Sequence, residues 1–134
     1  MTEFTLHPRL TGDTTPVADW ALSRVLLMND ARYPWLVLVP RRHDAVELFD
    51  LSEPDRRVLI EEVARAGRLL MTVSGATKIN VGALGNLVAQ LHVHVVARHS
   101  GDPAWPGPVW GHSAAVPYAA SARAALIAKI IATG

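Results

Sequence analysis

One long amphipathic helix in the middle of the chain constrains the fold most. Ser52-Glu53-Pro54-Asp55 is a strong helix start: a serine that can cap the first turn, an acid three residues on that can reach back to it, and a proline tolerated at the opening. From about Glu53 to Val73 the apolar residues Leu59, Val63, Ala66, Leu70 and Val73 step by 4, 3, 4 and 3 positions. That spacing puts them on one face, and Gly75 follows as a stop. A helix with a single apolar face must bury it, and the neighbouring segments predict a sheet for it to pack on.

Leu22 to Met28 is a short apolar run closed by Asn29-Asp30, and Trp35 to Val39 is another closed by Pro40-Arg41-Arg42. They read as two strands joined by a turn at residues 29 to 34. Lys78 to Leu84 reads as a third strand ending at Gly85-Asn86, and Leu91 to Arg98 as a fourth. An Ala-rich C-terminal helix over residues 117 to 132 carries Leu126, Ile127, Ile130 and Ile131. Residues 1 to 19, with Pro8, Gly12 and Pro16, read as an irregular N-terminal arm, and residues 100 to 116 as a Trp- and Pro-rich loop. Loop tryptophans ordinarily anchor on a core. At 134 residues the expectation is a single domain over 1 to 134.

Half the residues are hydrophobic and 19% are charged, which suits a chain with a sizeable core and not a disordered one. Cysteine is absent, so no disulfide, thiolate zinc site or thiol nucleophile is available. A net charge of +1 lacks the footprint of a nucleic-acid binder. Residues 1 to 62 hold seven Lys/Arg against eleven Asp/Glu, whereas residues 63 to 134 hold six against Asp102 alone; the second half favours a small anion, unless the two halves pair in space. The most apolar stretch, Trp20 to Val39, is interrupted by Arg24, Asn29, Asp30, Arg32 and Pro34, so no membrane span is expected. Met1-Thr2-Glu3-Phe4 lacks the basic start and apolar run of a secretory signal. A cytoplasmic location is the simplest expectation.

The segment richest in chemistry is Gln90-Leu91-His92-Val93-His94-Val95-Val96. Read as a strand, it sends Gln90, His92 and His94 to one side and Leu91, Val93 and Val95 to the other. Three readings fit two same-side histidines. The first is an exposed edge strand. The second is a metal site, which wants a third protein ligand; Asp102 is the only acid beyond Glu62, and His7, His43, His99 and His112 are scattered. The third is covalent catalysis at phosphorus, since a neutral imidazole held in the right tautomer is a competent nucleophile. Phosphate then needs a cradle of donors, for which Gly82-Ala83-Leu84-Gly85-Asn86 and the Asn80 amide are placed a few residues upstream. An ordinary strand-ending turn would use the same residue types.

Together, Leu36-Val37-Leu38-Val39-Pro40-Arg41-Arg42-His43, a long helix, Asn80, Gly85-Asn86 and Gln90-Leu91-His92-Val93-His94-Val95-Val96 resemble the histidine triad (HIT) superfamily of nucleotide hydrolases and transferases, over about residues 20 to 112. Trp105-Pro106-Gly107-Pro108 is similar to the Trp-Pro segment that follows the triad in the Hint branch. The resemblance implies an α+β fold with an antiparallel sheet of about five strands, one long helix packed on it and a C-terminal helix. It implies a homodimer acting on a small-molecule nucleotide, with no nucleic-acid or membrane partner, no required cofactor and no metal site. His92 corresponds to the nucleophile that attacks the α-phosphate, and His94 to the histidine that contacts phosphate oxygens. Asn80, Gly85 and Asn86 correspond to positions beside the phosphate, Asn29 to the ribose-binding position, and Trp105 to the tryptophan that reaches toward a neighbouring active site.

Three positions depart from the family pattern. Gln90 stands where the first triad histidine would be, Leu87 where a leaving-group Ser or Thr commonly stands, and Trp35 where an upstream histidine would precede the strand-ending proline. The expected function is hydrolysis or transfer at the α-phosphate of a nucleoside phosphoramidate or (di)nucleoside polyphosphate, through a nucleotidyl-histidine, with Gln90 as part of the catalytic set. A catalytically weak nucleotide-binding sensor or scaffold is the alternative.

Overall fold

The computed structural model describes residues 4–134. Five strands form one antiparallel sheet in the order β1-β2-β3-β5-β4: β1 Thr14–Asp19, β2 Ser23–Met28, β3 Trp35–Pro40, β4 Lys78–Gly82 and β5 Val93–Arg98. Among the described residues three α-helices accompany it, α1 Pro8–Asp13, α2 Glu53–Ser74 and α3 Ala120–Thr133, with one short 3-10 helix at Leu48–Asp50. Helix α2 carries the chain from β3 to β4, which flank β5 on either side and both run antiparallel to it.

Helix α2 begins and ends as its sequence predicts. The Ser52 side chain accepts from the Asp55 amide, and Gly75 closes the helix in a left-handed conformation at φ 66°. Its face of Leu59, Val63, Ala66, Leu69 and Leu70 is buried against Val25, Leu27, Leu36, Leu38, Val93, Val95 and Ala97 of the sheet. Glu62, on the same helix, is 6% exposed and its carboxylate accepts the amides of Leu22 and Ser23, both at 3.0 Å. Two buried amides at the entry of β2 thereby gain the partners they need.

The opposite face of the sheet has a second apolar cluster built on Leu26, Trp35, Val37, Val39 and Val96, covered by Leu10, Val88, Ala104 and Val109. Here the irregular arm expected at the N-terminus is corrected. Residues 1–3 lie outside the described residues, but Pro8–Asp13 form a helix and Thr14–Asp19 an edge strand paired with β2. The turn-forming residues misled because each fits its element: Pro8 opens a helix, where its missing amide costs nothing, and Pro16 sits on an edge strand beside a register shift. The C-terminal helix starts at Ala120, three residues later than expected, because the Tyr118 amide donates to Asn29 Oδ1 at 2.9 Å and holds the chain extended there. Among the described residues no helix is long and apolar enough to cross a membrane.

Candidate active site

Strand β5 and the segment just before it bring the two histidines together. The strand begins only at Val93, so His94 lies inside it and His92 one residue ahead, while Gln90 sits in a bend. Leu91, Val93 and Val95 face α2 as the alternation predicts. The imidazole rings of His92 and His94 meet edge to face at 4.9 Å between centroids, and each residue is 7% exposed.

Each ring has a fixed partner at Nδ1. His92 Nδ1 is 2.7 Å from the carbonyl oxygen of Gln90. That oxygen only accepts, so the neutral ring carries its proton on Nδ1 and its lone pair on Nε2. His94 Nδ1 receives the indole Nε1–H of Trp35 at 3.0 Å. Its ring lies between Trp35 and Trp110, at centroid distances of 5.5 Å and 5.7 Å. Burial in this aromatic slot, reinforced by the neighbouring His92, pushes the His94 pKa down to about 4.

That depression sets a pH dependence of stability. Between the ordinary histidine value of 6.5 and about 4, the unfolded chain binds a proton at position 94 that the folded chain refuses. The contribution is whole above pH 6.5 and is lost as pH falls toward 4, by up to about 3 kcal/mol. Urea unfolding at pH 7 and pH 4.5 is expected to show a smaller stability difference in His94→Gln than in wild type. Equal differences in the two proteins would place that proton uptake elsewhere.

Both histidines line a cavity of about 500 Å³, a volume suited to a small-molecule ligand. Its inner wall is apolar and aromatic, from Leu10, Met28, Trp35, Val88, Val109 and Trp110, and its mouth carries Arg9 and Asp13 from α1. Gly82 makes room for Trp110: a Cβ there would meet the indole at 3.0 Å. Beside His92, Gly85 turns at φ 71°. The amides of Gly85, Asn86 and Leu87, on three exposed residues, donate to no acceptor among the described residues and are open to solvent or a ligand. Among the described residues no cluster of three His, Cys, Asp or Glu is close enough to hold a metal ion.

The structure gathers some expected residues and separates others. His92, His94, Gly85 and Asn86 line the cavity. Gln90 does not. Its carboxamide donates to the Thr5 carbonyl at 2.9 Å and accepts the His7 amide at 2.8 Å, tying down the N-terminal segment. Asn29 spends its side-chain oxygen on Tyr118, and the adjacent Asp30 lines the cavity instead. Burial pushes the Asp30 carboxyl up, but hydrogen bonds from the Arg32 side chain and the Arg32 and Val116 amides outweigh it and hold the group below its usual value. Asn80 accepts from Arg98 at 2.8 Å. Trp105 is 39% exposed, stacked near the Arg98 guanidinium, and of the two tryptophans in that loop it is Trp110 that lines the cavity.

Sequence reasoning missed Arg9, Leu10, Asp13 and Asp30 as cavity residues, and noted Trp35 only as a departure from pattern. The His7-Pro8 helix start was a legible signal for the first three, since the His7 side chain accepts the Arg9 amide as a cap. Nothing local marks Trp35, because its partner is 59 residues away.

Comparison with known proteins identifies the family. The HIT domain family model matches residues 11–101, and the chain belongs to that family. A histidine triad protein of Bradyrhizobium japonicum is similar over 98% of each chain at 46% identity, with a TM-score of 0.95. One of Sinorhizobium meliloti is 47% identical over 96% of each chain, with a TM-score of 0.94. One of Marinobacter aquaeolei is 43% identical over 96% of this chain and 94% of its own, also with a TM-score of 0.94. No curated protein matches the chain. The expected five-stranded antiparallel α+β fold is the observed one.

Proposed function

We propose that the protein is a nucleotide hydrolase or transferase that acts on the α-phosphate of a nucleoside phosphoramidate or (di)nucleoside polyphosphate. One observation carries this reading: the Gln90 carbonyl holds His92 with its Nε2 lone pair free, in the wall of a cavity whose neighbouring amides lack acceptors. The lone pair attacks phosphorus. A P–N or P–O bond to the leaving group breaks with its electron pair going to the leaving atom; an amine departs after taking a proton from solvent, and a polyphosphate departs as the anion. Water then attacks the phosphorus, the bond to His92 Nε2 breaks, and nucleoside monophosphate leaves. The free amides from Gly85 to Leu87 suit the oxygens that gain charge during both steps, and the apolar wall suits the nucleoside.

No metal or cofactor enters this scheme. The homodimer expected from the resemblance is kept in the proposal, because β4 lies at a sheet edge with Val81 52% exposed and α2 shows Ile60 62% exposed. Gln90 is given a supporting task here: its backbone carbonyl orients His92 while its carboxamide holds the segment that leads into α1, whose Arg9, Leu10 and Asp13 line the cavity. Gln90→Ala is therefore expected to loosen the N-terminal segment in hydrogen exchange.

The test is release of nucleoside monophosphate from a lysyl-adenylate phosphoramidate and from a diadenosine polyphosphate, with EDTA present. Turnover of either supports the reading and ranks the substrate classes. Binding of AMP without any turnover would favour the sensor or scaffold alternative, for which Leu87, 81% exposed and without a hydroxyl, is the motivating observation.

A further inference from the structure

Trp35 and His94 meet through strand register alone. Trp35 stands opposite Val96 in the β3–β5 ladder, so His94, two residues before Val96, is its diagonal neighbour on the same face. Both are buried, at 8% and 7% exposure, and the indole Nε1 lies 3.0 Å from His94 Nδ1. An indole N–H donates and never accepts. A neutral imidazole has a single N–H, so an Nδ1 that accepts leaves that proton on Nε2. Burial keeps the His94 ring neutral. His92 carries the opposite assignment, because the Gln90 carbonyl at its Nδ1 only accepts.

We propose that Trp35 is a positioning residue that locks His94 in the Nε2–H tautomer, so that two touching histidines present opposite faces to the cavity, a lone pair from His92 and a hydrogen-bond donor from His94. This deepens the functional reading above and rests on it for its consequence. A nucleophile needs the lone pair, whereas a phosphoryl oxygen that gains charge needs the donor. Were His94 free to change tautomer, part of the population would turn a lone pair toward that oxygen and repel it. A carboxamide or imidazole in place of Trp35 could turn round and accept; an indole cannot.

The experiment is ¹⁵N NMR of the histidine rings in the ligand-free protein, wild type beside Trp35→Phe. Phenylalanine keeps a ring to pack against Tyr33, whose centroid is 6.5 Å away, and removes the N–H. Wild-type His94 is expected wholly as Nε2–H, with a scalar coupling between Trp35 Nε1 and His94 Nδ1 across the hydrogen bond. Trp35→Phe is expected to mix the His94 tautomers while His92 stays Nδ1–H, and to lower kcat/KM for a nucleoside phosphoramidate about tenfold. A wild-type His94 that is mixed or Nδ1–H, a missing coupling, or a His94 still wholly Nε2–H in Trp35→Phe would each overturn the proposal. The wild-type coupling decides the contact even if the variant does not fold. A protein that turns over no nucleotide would sink the functional reading and leave the tautomer assignment to the spectra.

Discussion

His92→Ala is expected to lower single-turnover release of nucleoside monophosphate by at least about 10³-fold, while the Kd for AMP stays within about threefold. The imidazole supplies the lone pair that bonds to phosphorus in the first step of this scheme, whereas the apolar wall and the amides from Gly85 to Leu87 that hold the ligand are untouched by the change. Removing one ring from a cavity wall opens space without stranding a buried partner, since the Gln90 carbonyl can take a water. Acid-labile, base-stable radiolabel on the protein after rapid quenching of an α-labelled substrate is the direct check. Wild type is expected to carry it and His92→Ala to carry none. Near-normal turnover in the variant would end the covalent mechanism.

Arg98→Met is expected to cost about 3–5 kcal/mol of unfolding free energy, a loss visible as a lower urea midpoint. Arg98 and Asp102 are 1% and 6% exposed at their side chains, and the guanidinium meets the carboxylate through two bonds of 2.7 Å and 2.9 Å. The side-chain bond from Arg98 is the largest influence holding the Asp102 carboxyl below its usual value. A methionine fills much of the same space but leaves Asp102 charged and buried, with the backbone amides of His99, at 3.3 Å, and Trp105 for support. The consequence reaches the cavity, because Arg98 also holds Asn80 and packs near the rings of Tyr33 and Trp105. It therefore fastens the loop that delivers Trp110. The double variant Arg98→Met/Asp102→Asn is expected to regain most of the loss, since no buried charge then remains. A single variant within about 1 kcal/mol of wild type would show the pair to be a bystander.

These two residues differ in how far the sequence revealed them. His92 was legible because its motif is local: six residues of alternating character place it, and the hairpin, helix and Gly85-Asn86 turn around it complete a family pattern. Arg98 was not, because its value comes from a chain that returns four residues later through an irregular loop, and neither propensity nor periodicity describes such a loop. Asn80 shows the same limit from the other side. It is an amide near the site in sequence, yet its oxygen belongs to Arg98.

The sequence by itself determined the elements with strong local signals: α2 from its cap, its 4-3 spacing and its glycine stop; four of the five strands; and the two histidines of β5 and its approach. Tertiary structure alone decided that the arm is a helix and an edge strand, that Asp30 and Trp110 rather than Asn29 and Trp105 reach the cavity, and that Gln90 turns its carboxamide to the arm. It also decided the pairing of Trp35 with His94. The physical reason is range. Caps and hydrophobic periodicity act within a few residues, whereas a cavity wall and a hydrogen bond across 59 residues depend on strand register, which exists only once the sheet has formed.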